Sequence, residues 1–256
     1  MGLPLAIAFA GLDWSDSRTV RDHRSRIAWA AEQGFRAVQL DATAIKPRDL
    51  DRSARRDLAA TLRRHELTLA GLDLWIPANH FARSETLDRA ASALVDAIDM
   101  AADLVDLVAE SCRVVSIELP RDMDQIALGA ILARADARSV SVADHAWPRP
   151  SDSDGAGVSP DLTSGPLMLG VDPAAMLLAG DDPSTIASRR AASIASARLS
   201  DLSSIGRVLP GNGRLDIFAY RIALETGGYR GPVVLDLRGV RGGADRAGDV
   251  RQRWGV

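Results

Sequence analysis

Acidic side chains recur where the apolar runs of this chain give out. Asp41 follows FRAVQL, Asp73 lies in LTLAGLDL, Glu118 in VVSIEL and Asp144 in VSVAD. Asp172 follows LMLGV, Asp201 follows SARLS, and Asp236 lies in VVLDL. Carboxylates gathered at one end of a sheet can move a proton between neighbouring carbons, one acting as base and another as acid. Asp144, Asp236, Glu118 and Asp73 are candidates for that work, although strand-end acids also serve as helix caps. His145 follows Asp144 directly, and His80 follows the third run; either can face a pocket or sit idle in a loop. Trp14 and Trp75 follow the first and third runs, where an indole face can stack on a sugar or cover the edge of a core. Arg207 can clamp an anionic or polyol ligand, or simply be solvated. The turn LPGNG offers backbone N–H groups to a phosphate, but no lysine and no long glycine loop accompany it. No Ser-His-Asp signature, P-loop or C-x-x-C pair is present.

The elements that must position these groups alternate regularly. Strands are expected at Leu3–Leu12, Phe35–Leu40, Leu67–Leu74, Val114–Leu119, Val140–Ala143, Leu167–Val171, Ala195–Leu199 and Val233–Leu237. Their almost continuous apolar character is that of strands buried on both faces. Helices are expected at 19–33 with Gly34 as its stop, 50–65, from Ser84 as cap through Ala101, 122–137, 183–192, 215–225 and 244–254. Eight such units of about 30 residues predict an α/β chain folded as a single (β/α)8 TIM barrel over residues 1–256. A doubly wound sheet is the rival, but no G-x-G-x-x-G follows an early strand. Pro148–Pro166, rich in Pro, Ser, Gly and Asp, breaks the rhythm, either as a loop over the strand ends or as a surface insertion.

Composition narrows the class. With 46% hydrophobic and 25% charged residues and a net charge of −3, the chain is ordinary for a soluble globular protein and gives no support to a nucleic-acid partner. Lys46 is the only lysine, a bias expected from base composition rather than function. Cys112 is alone, so no intramolecular disulfide can form. The apolar N-terminus lacks the basic flank of a signal peptide, and no run reaches the roughly 20 residues of a membrane span. A cytoplasmic protein with no membrane partner is expected.

Three segments carry a family resemblance. LGVDPAAMLLAGDDP (169–183) is similar to an apolar strand, D-x-x-H, helix and Gly-Asp-Pro turn, with Asp172 matching and Ala175 in the histidine position. ARLSDLSSIGRVLPGNGRLD (197–216) resembles a strand in which a histidine precedes an aspartate by three, followed by a G-x-G loop. Arg198 stands in the histidine position, and Asp201, Gly211, Gly213 and Asp216 match the rest. GGYRGPVVLDLRG (227–239) resembles the last turn and strand, with Asp236 where glutamate is usual. In SVSVADHAW, Asp144 stands where another glutamate is common. Together these resemble the xylose-isomerase-like superfamily of sugar isomerases and epimerases.

The resemblance implies a divalent metal such as Mn or Mg, bound at Asp144, Asp172, Asp236 and position 198. It implies action on a sugar, sugar phosphate or polyol, with possible homo-oligomers. A guanidinium has no lone pair to give, so Arg198 cannot be a ligand. His145 with Asp144, Asp172 and Asp236 is one rearranged metal site. The other expectation is that the three aspartates converge and Arg198 supplies their cation, unless Arg198 points to solvent. Function therefore divides, with a metal-free lyase or isomerase that uses Arg198 as the electrophile for an enolate standing behind two main readings. One reading is an isomerase or epimerase with Asp144, Asp236 and Glu118 as catalytic groups and Trp14, Trp75, His145, Arg198 and Arg207 around the substrate. The other is a catalytically silent barrel that binds a sugar-like ligand or a protein partner.

Overall fold

The computed structural model describes residues 2–14, 22–148 and 165–255. In chain order it runs β1 (Leu5–Ala8), α1 (His23–Glu32), β2 (Ala37–Asp41), α2 (Ala42–Ile45), α3 (Arg52–Arg64), β3 (Thr68–Asp73), α4 (Asn79–Ala82) and α5 (Ser84–Val105). It continues with β4 (Val114–Ile117), α6 (Gln125–Ala137), β5 (Ser141–Asp144), β6 (Leu167–Val171), α7 (Pro173–Ala179), α8 (Pro183–Arg190) and β7 (Ile194–Leu199). The last elements are β8 (Asp201–Ser203), β9 (Gly206–Val208), α9 (Ile217–Thr226), β10 (Val233–Leu235) and α10 (Gly243–Trp254). Strands β1 to β7 pair in sequence order, and β10 lies between β7 and β1, so eight parallel strands close a barrel. The ring closes in the register Leu5↔Val233, Ala6↔Val234, Ile7↔Leu235. This is the expected single (β/α)8 barrel.

Alternation sorts each strand into an outer and an inner row. Ile7, Val38 and Leu235 join the main core beneath the helices. Ala6, Ala8, Ala37, Ala70 and Val234 form a separate small cluster. Their register partners, Ala6↔Ala37 and Ala6↔Val234, place them on the inner wall. Small residues leave the lumen room for longer side chains reaching in from elsewhere. His145 is one of them: it is fully buried, and Gly170 lies so close that a Cβ there would sit 2.5 Å from its ring. Its Nε2 is 3.1 Å from Ser116 Oγ, which receives Gln39 Nε2 at 3.0 Å and lies 3.2 Å from Ser196 Oγ. This polar chain spans the barrel between β2, β4 and β7.

Several local expectations differ in detail. Ser84 is the first helical residue of α5, and Arg83, without a side-chain cap bond, is its N-cap. Asp51, Asp124, Asp172, Asp182 and Asp216 are caps instead, each accepting from a backbone N–H two or three residues on. Helix α7, which the resemblance over 169–183 implied, begins directly after Asp172, because Pro173 suits a first helical position. The hairpin β8–β9 was not expected; it pairs Asp201↔Val208 and Leu202↔Arg207. Most of the Pro148–Pro166 segment, and the start of the first expected helix, lie outside the described residues. Among those described, no helix is long and apolar enough to cross a membrane.

Candidate functional site

Strand-end residues bring three carboxylates and three guanidinium groups together at the carboxyl mouth of the barrel. Asp73 closes β3, Asp172 follows β6 and Asp236 follows β10. All three side chains are essentially inaccessible to water. Arg198, on the inner row of β7, is equally buried and touches each of them. Its Nη2 lies 3.1 Å from Asp73 Oδ2, its Nη1 3.4 Å from Asp172 Oδ2, and its Nε 3.3 Å from Asp236 Oδ2. Glu118 Oε1, just beyond β4, is 3.7 Å from the same Nη1 and 44% exposed.

Two further arginines complete the cluster. Arg207, on β9, binds Asp172 through Nη2 and places Nη1 3.9 Å from Asp236 Oδ2. Arg238 donates Nη2 to Asp73 Oδ2 at 2.6 Å, and its Nε lies 2.8 Å from Asp236 Oδ2. Trp75, half exposed, lies under the Arg238 guanidinium at 5.4 Å. Ser200 donates to Asp172 Oδ1 at 2.5 Å, and Tyr220 fixes β7 from behind by donating to the Arg198 carbonyl at 3.0 Å.

Charge compensation decides the protonation of these acids. Burial opposes ionisation of Asp172, yet Arg207, Arg198 and the Ser200 hydroxyl outweigh it and hold the carboxyl well below the usual carboxylate range. Asp236 is likewise held low: burial acts against it, but Arg238 and Arg198 prevail over that burial and over the repulsion from Asp172. Burial pushes the Arg207 and Arg238 pKa values down, but their aspartate partners raise both overall. Asp172 and Asp236 are therefore held as carboxylates against their burial by the guanidinium groups around them.

The other expected site residues fall elsewhere. Asp144 does not join the convergence foreseen for it: its Oδ1 accepts from Leu119 N at 3.1 Å and Ala146 N at 3.0 Å. It sits at the end of β5, where those two amides lie within reach. Its place among the aspartates is taken by Asp73. His145 turns into the lumen, because Gly170 leaves space for its ring, and does not face an open pocket. Trp14 packs edge-on against Trp29 and Phe9, with Arg26 stacked 5.0 Å over its ring. Asp201 is a loop anchor, accepting from the backbone N–H groups of Leu202, Gly211, Gly213 and Leu215 at 2.8–3.0 Å. A Cβ at Gly213 would lie 2.4 Å from its carboxylate, so the G-x-G loop can wrap this acid only with glycine there. A cavity of about 270 Å³ lies beside β1 and β2, lined by Phe9, His23, Arg26, Asp41 and Ile45 among others. Burial raises the Asp41 pKa in that wall, against the Ala44 amide that it caps.

Arg238 was absent from the sequence expectations. The signal was its spacing: two residues beyond Asp236, it shares that residue's inner row. Sequence alone presents Asp73 as an acid-base group or helix cap, not as a partner of Arg198 and Arg238.

The divalent metal implied by the resemblance does not fit these donors. The centre of the three aspartates is filled by a guanidinium, which carries no lone pair. Among the described residues, no group of three or more His, Cys, Asp or Glu is arranged to hold a metal ion.

Neither the protein-family models nor the curated proteins match this chain. Solved structures do. A xylose isomerase domain protein from Planctomyces limnophilus is 16% identical, with a TM-score of 0.70 over 99% of this chain and 95% of that one. A xylose isomerase domain protein from Alicyclobacillus acidocaldarius is 19% identical, with a TM-score of 0.67 over 98% and 96%. D-psicose 3-epimerase from Clostridium cellulolyticum H10, solved with D-tagatose, is 15% identical, with a TM-score of 0.64 over 91% and 84%. The chain has the fold of the xylose-isomerase-like TIM barrels.

Proposed function

We propose that this barrel binds a sugar or related polyol at its carboxyl mouth and acts on it as an isomerase or epimerase without a divalent metal. The observation that carries the reading is the Arg198 guanidinium seated among Asp73, Asp172 and Asp236. The likeness in fold to a D-psicose 3-epimerase and an L-ribulose 3-epimerase supports the substrate class.

The mouth offers groups suited to that chemistry. Glu118 is accessible where the neighbouring aspartates are not, so it is the carboxylate able to take a proton from a carbon beside a carbonyl. Arg207, 24% exposed at the rim, can turn a guanidinium N–H toward the oxygen on which negative charge then develops. The exposed face of Trp75 can carry the C–H face of a sugar. Arg198 helps to keep Asp172 and Asp236 ionised beneath them.

The test is calorimetric titration with D-fructose and D-tagatose in the presence of EDTA, followed by NMR of each sugar in D₂O with the protein. Binding together with deuterium entering the carbon next to the carbonyl supports an isomerase or epimerase. Binding without exchange supports the second reading, a silent barrel, which the lost ligand position at Arg198 favours. An absolute requirement for added Mn²⁺ would overturn both.

A further inference from the structure

We propose that Arg198 is an intramolecular counter-cation in the place of a divalent ion, and that Asp73, Asp172 and Asp236 close on such an ion once this guanidinium is removed. The inference concerns the charge at the centre and does not depend on which ligand the mouth takes.

Arg198 is the one side chain in the cluster that contacts all three aspartates, at 3.1, 3.4 and 3.3 Å. Arg207 reaches Asp172 and Asp236, and Arg238 reaches Asp73 and Asp236. Without Arg198, three buried carboxylates face two guanidinium groups, and the space between them holds no positive charge. Asp73 Oδ1 is buried with no hydrogen-bond partner, so this carboxylate has acceptor capacity still unused. The donors are hard oxygens from three separate strand ends, which suits Mn²⁺, Mg²⁺ or Ca²⁺ rather than a thiophilic metal. Metal–oxygen bonds of about 2.0–2.6 Å are shorter than the present contacts, so the carboxylates must draw inward. Ca²⁺, with the longest bonds, requires the least movement. Glu118, 3.7 Å from Arg198 and free to swing, can supply a fourth carboxylate.

The test uses the full chain as wild type and as Arg198→Ala, purified in EDTA and then exchanged into chelator-free buffer. Thermal midpoints and calorimetric titrations are measured with Ca²⁺ and with Mn²⁺. The variant is expected to melt below wild type without ions. It should regain at least about 3 °C in saturating ion, the shift expected of a ligand that binds only the native state. One ion per chain should bind, and Asp172→Asn added to the variant should weaken that binding at least tenfold. The wild type should show neither the shift nor the binding. The proposal is overturned if the folded variant ignores both ions, if wild type binds as tightly as the variant, or if Asp172→Asn leaves affinity unchanged. If Arg198→Ala does not accumulate as folded protein, it is refolded from urea with and without each ion. Native circular dichroism recovered only with an ion supports the proposal, and failure with both ions overturns it.

Discussion

Arg238 ties Asp73 to Asp236 across the barrel mouth, with Nη2 at 2.6 Å from one carboxylate and Nε at 2.8 Å from the other. The two acids belong to β3 and the end of β10, which are separated in the ring by β1 and β2. One planar fork thus spans a gap that no strand pairing crosses. Removing one partner of a buried ion pair leaves uncompensated charge and costs about 3–5 kcal/mol. Arg238→Gln should lower unfolding stability in urea by that amount. Arg238→Lys should recover only part of it, since an ammonium is a point charge and cannot reach both acids with separate arms.

Stability should also fall in acid with a defined sign. Asp172 and Asp236 have folded pKa values below those of the unfolded chain, where an aspartate titrates near about 3.9. Their stabilisation is fully present above that unfolded value. It disappears as the pH falls below it, through the lower folded values. Urea midpoints measured across this range should drop steeply, and the drop should be shallower in Asp172→Asn. At the alkaline end, burial raises the Tyr220 and Tyr229 pKa values above the ordinary phenol value of about 10. Their contribution is complete below that unfolded value and lost as the pH rises through the folded ones.

Gly170→Ala should destabilise the chain by about 1–3 kcal/mol, the usual effect of overpacking. The added methyl would meet the His145 ring at 2.5 Å. Pairing it with His145→Ser should return part of the loss, which a double-mutant cycle in urea would measure as a coupling energy.

Asp201→Ala should free the four backbone amides that the carboxylate now gathers. A loss of about 1.5–3 kcal/mol is expected for hydrogen bonds to a charged group. Hydrogen exchange at Gly211, Gly213 and Leu215 should speed up ahead of exchange in the barrel strands. Barrel strands that exchanged equally fast would show that this loop is not a separate unit.

Glu118→Gln should reduce deuterium exchange into a bound ketose by roughly 10²-fold or more, the scale of a lost general base. Sugar affinity should stay within a few-fold, because the amide keeps the shape and a polar edge. Equal exchange in the variant would remove Glu118 from the mechanism.

The barrel was legible because each strand is a short apolar run, the helices recur between them at regular spacing, and Gly34 marks the stop of α1. Arg198 was legible as a residue of the wrong chemistry at a telling position, and period-two alternation then carried it inside. What sequence hid was competition for strand-end acids. Asp144 and Asp73 look alike as letters. Asp144 lies within reach of the Leu119 and Ala146 amides, and Asp73 lies opposite Arg198 and Arg238. That choice depends on where neighbouring loops turn, which no local spacing records. The β8–β9 hairpin escaped for the same reason: its strands are three residues each, too short for a periodic pattern.

A cation that is part of the polypeptide arrives with translation. Arg198 cannot be stripped by a chelator, exchanged for a competing ion or left vacant when metals are scarce, since its stoichiometry is fixed by the gene. The same permanence removes a freedom that a dissociable ion allows: a guanidinium cannot shed a water, change its coordination number or pass to a neighbouring site. The mouth of this barrel is therefore preset to one electrostatic state, and any variation in what it does has to come from the ligand or from Glu118 and Arg207 at its rim.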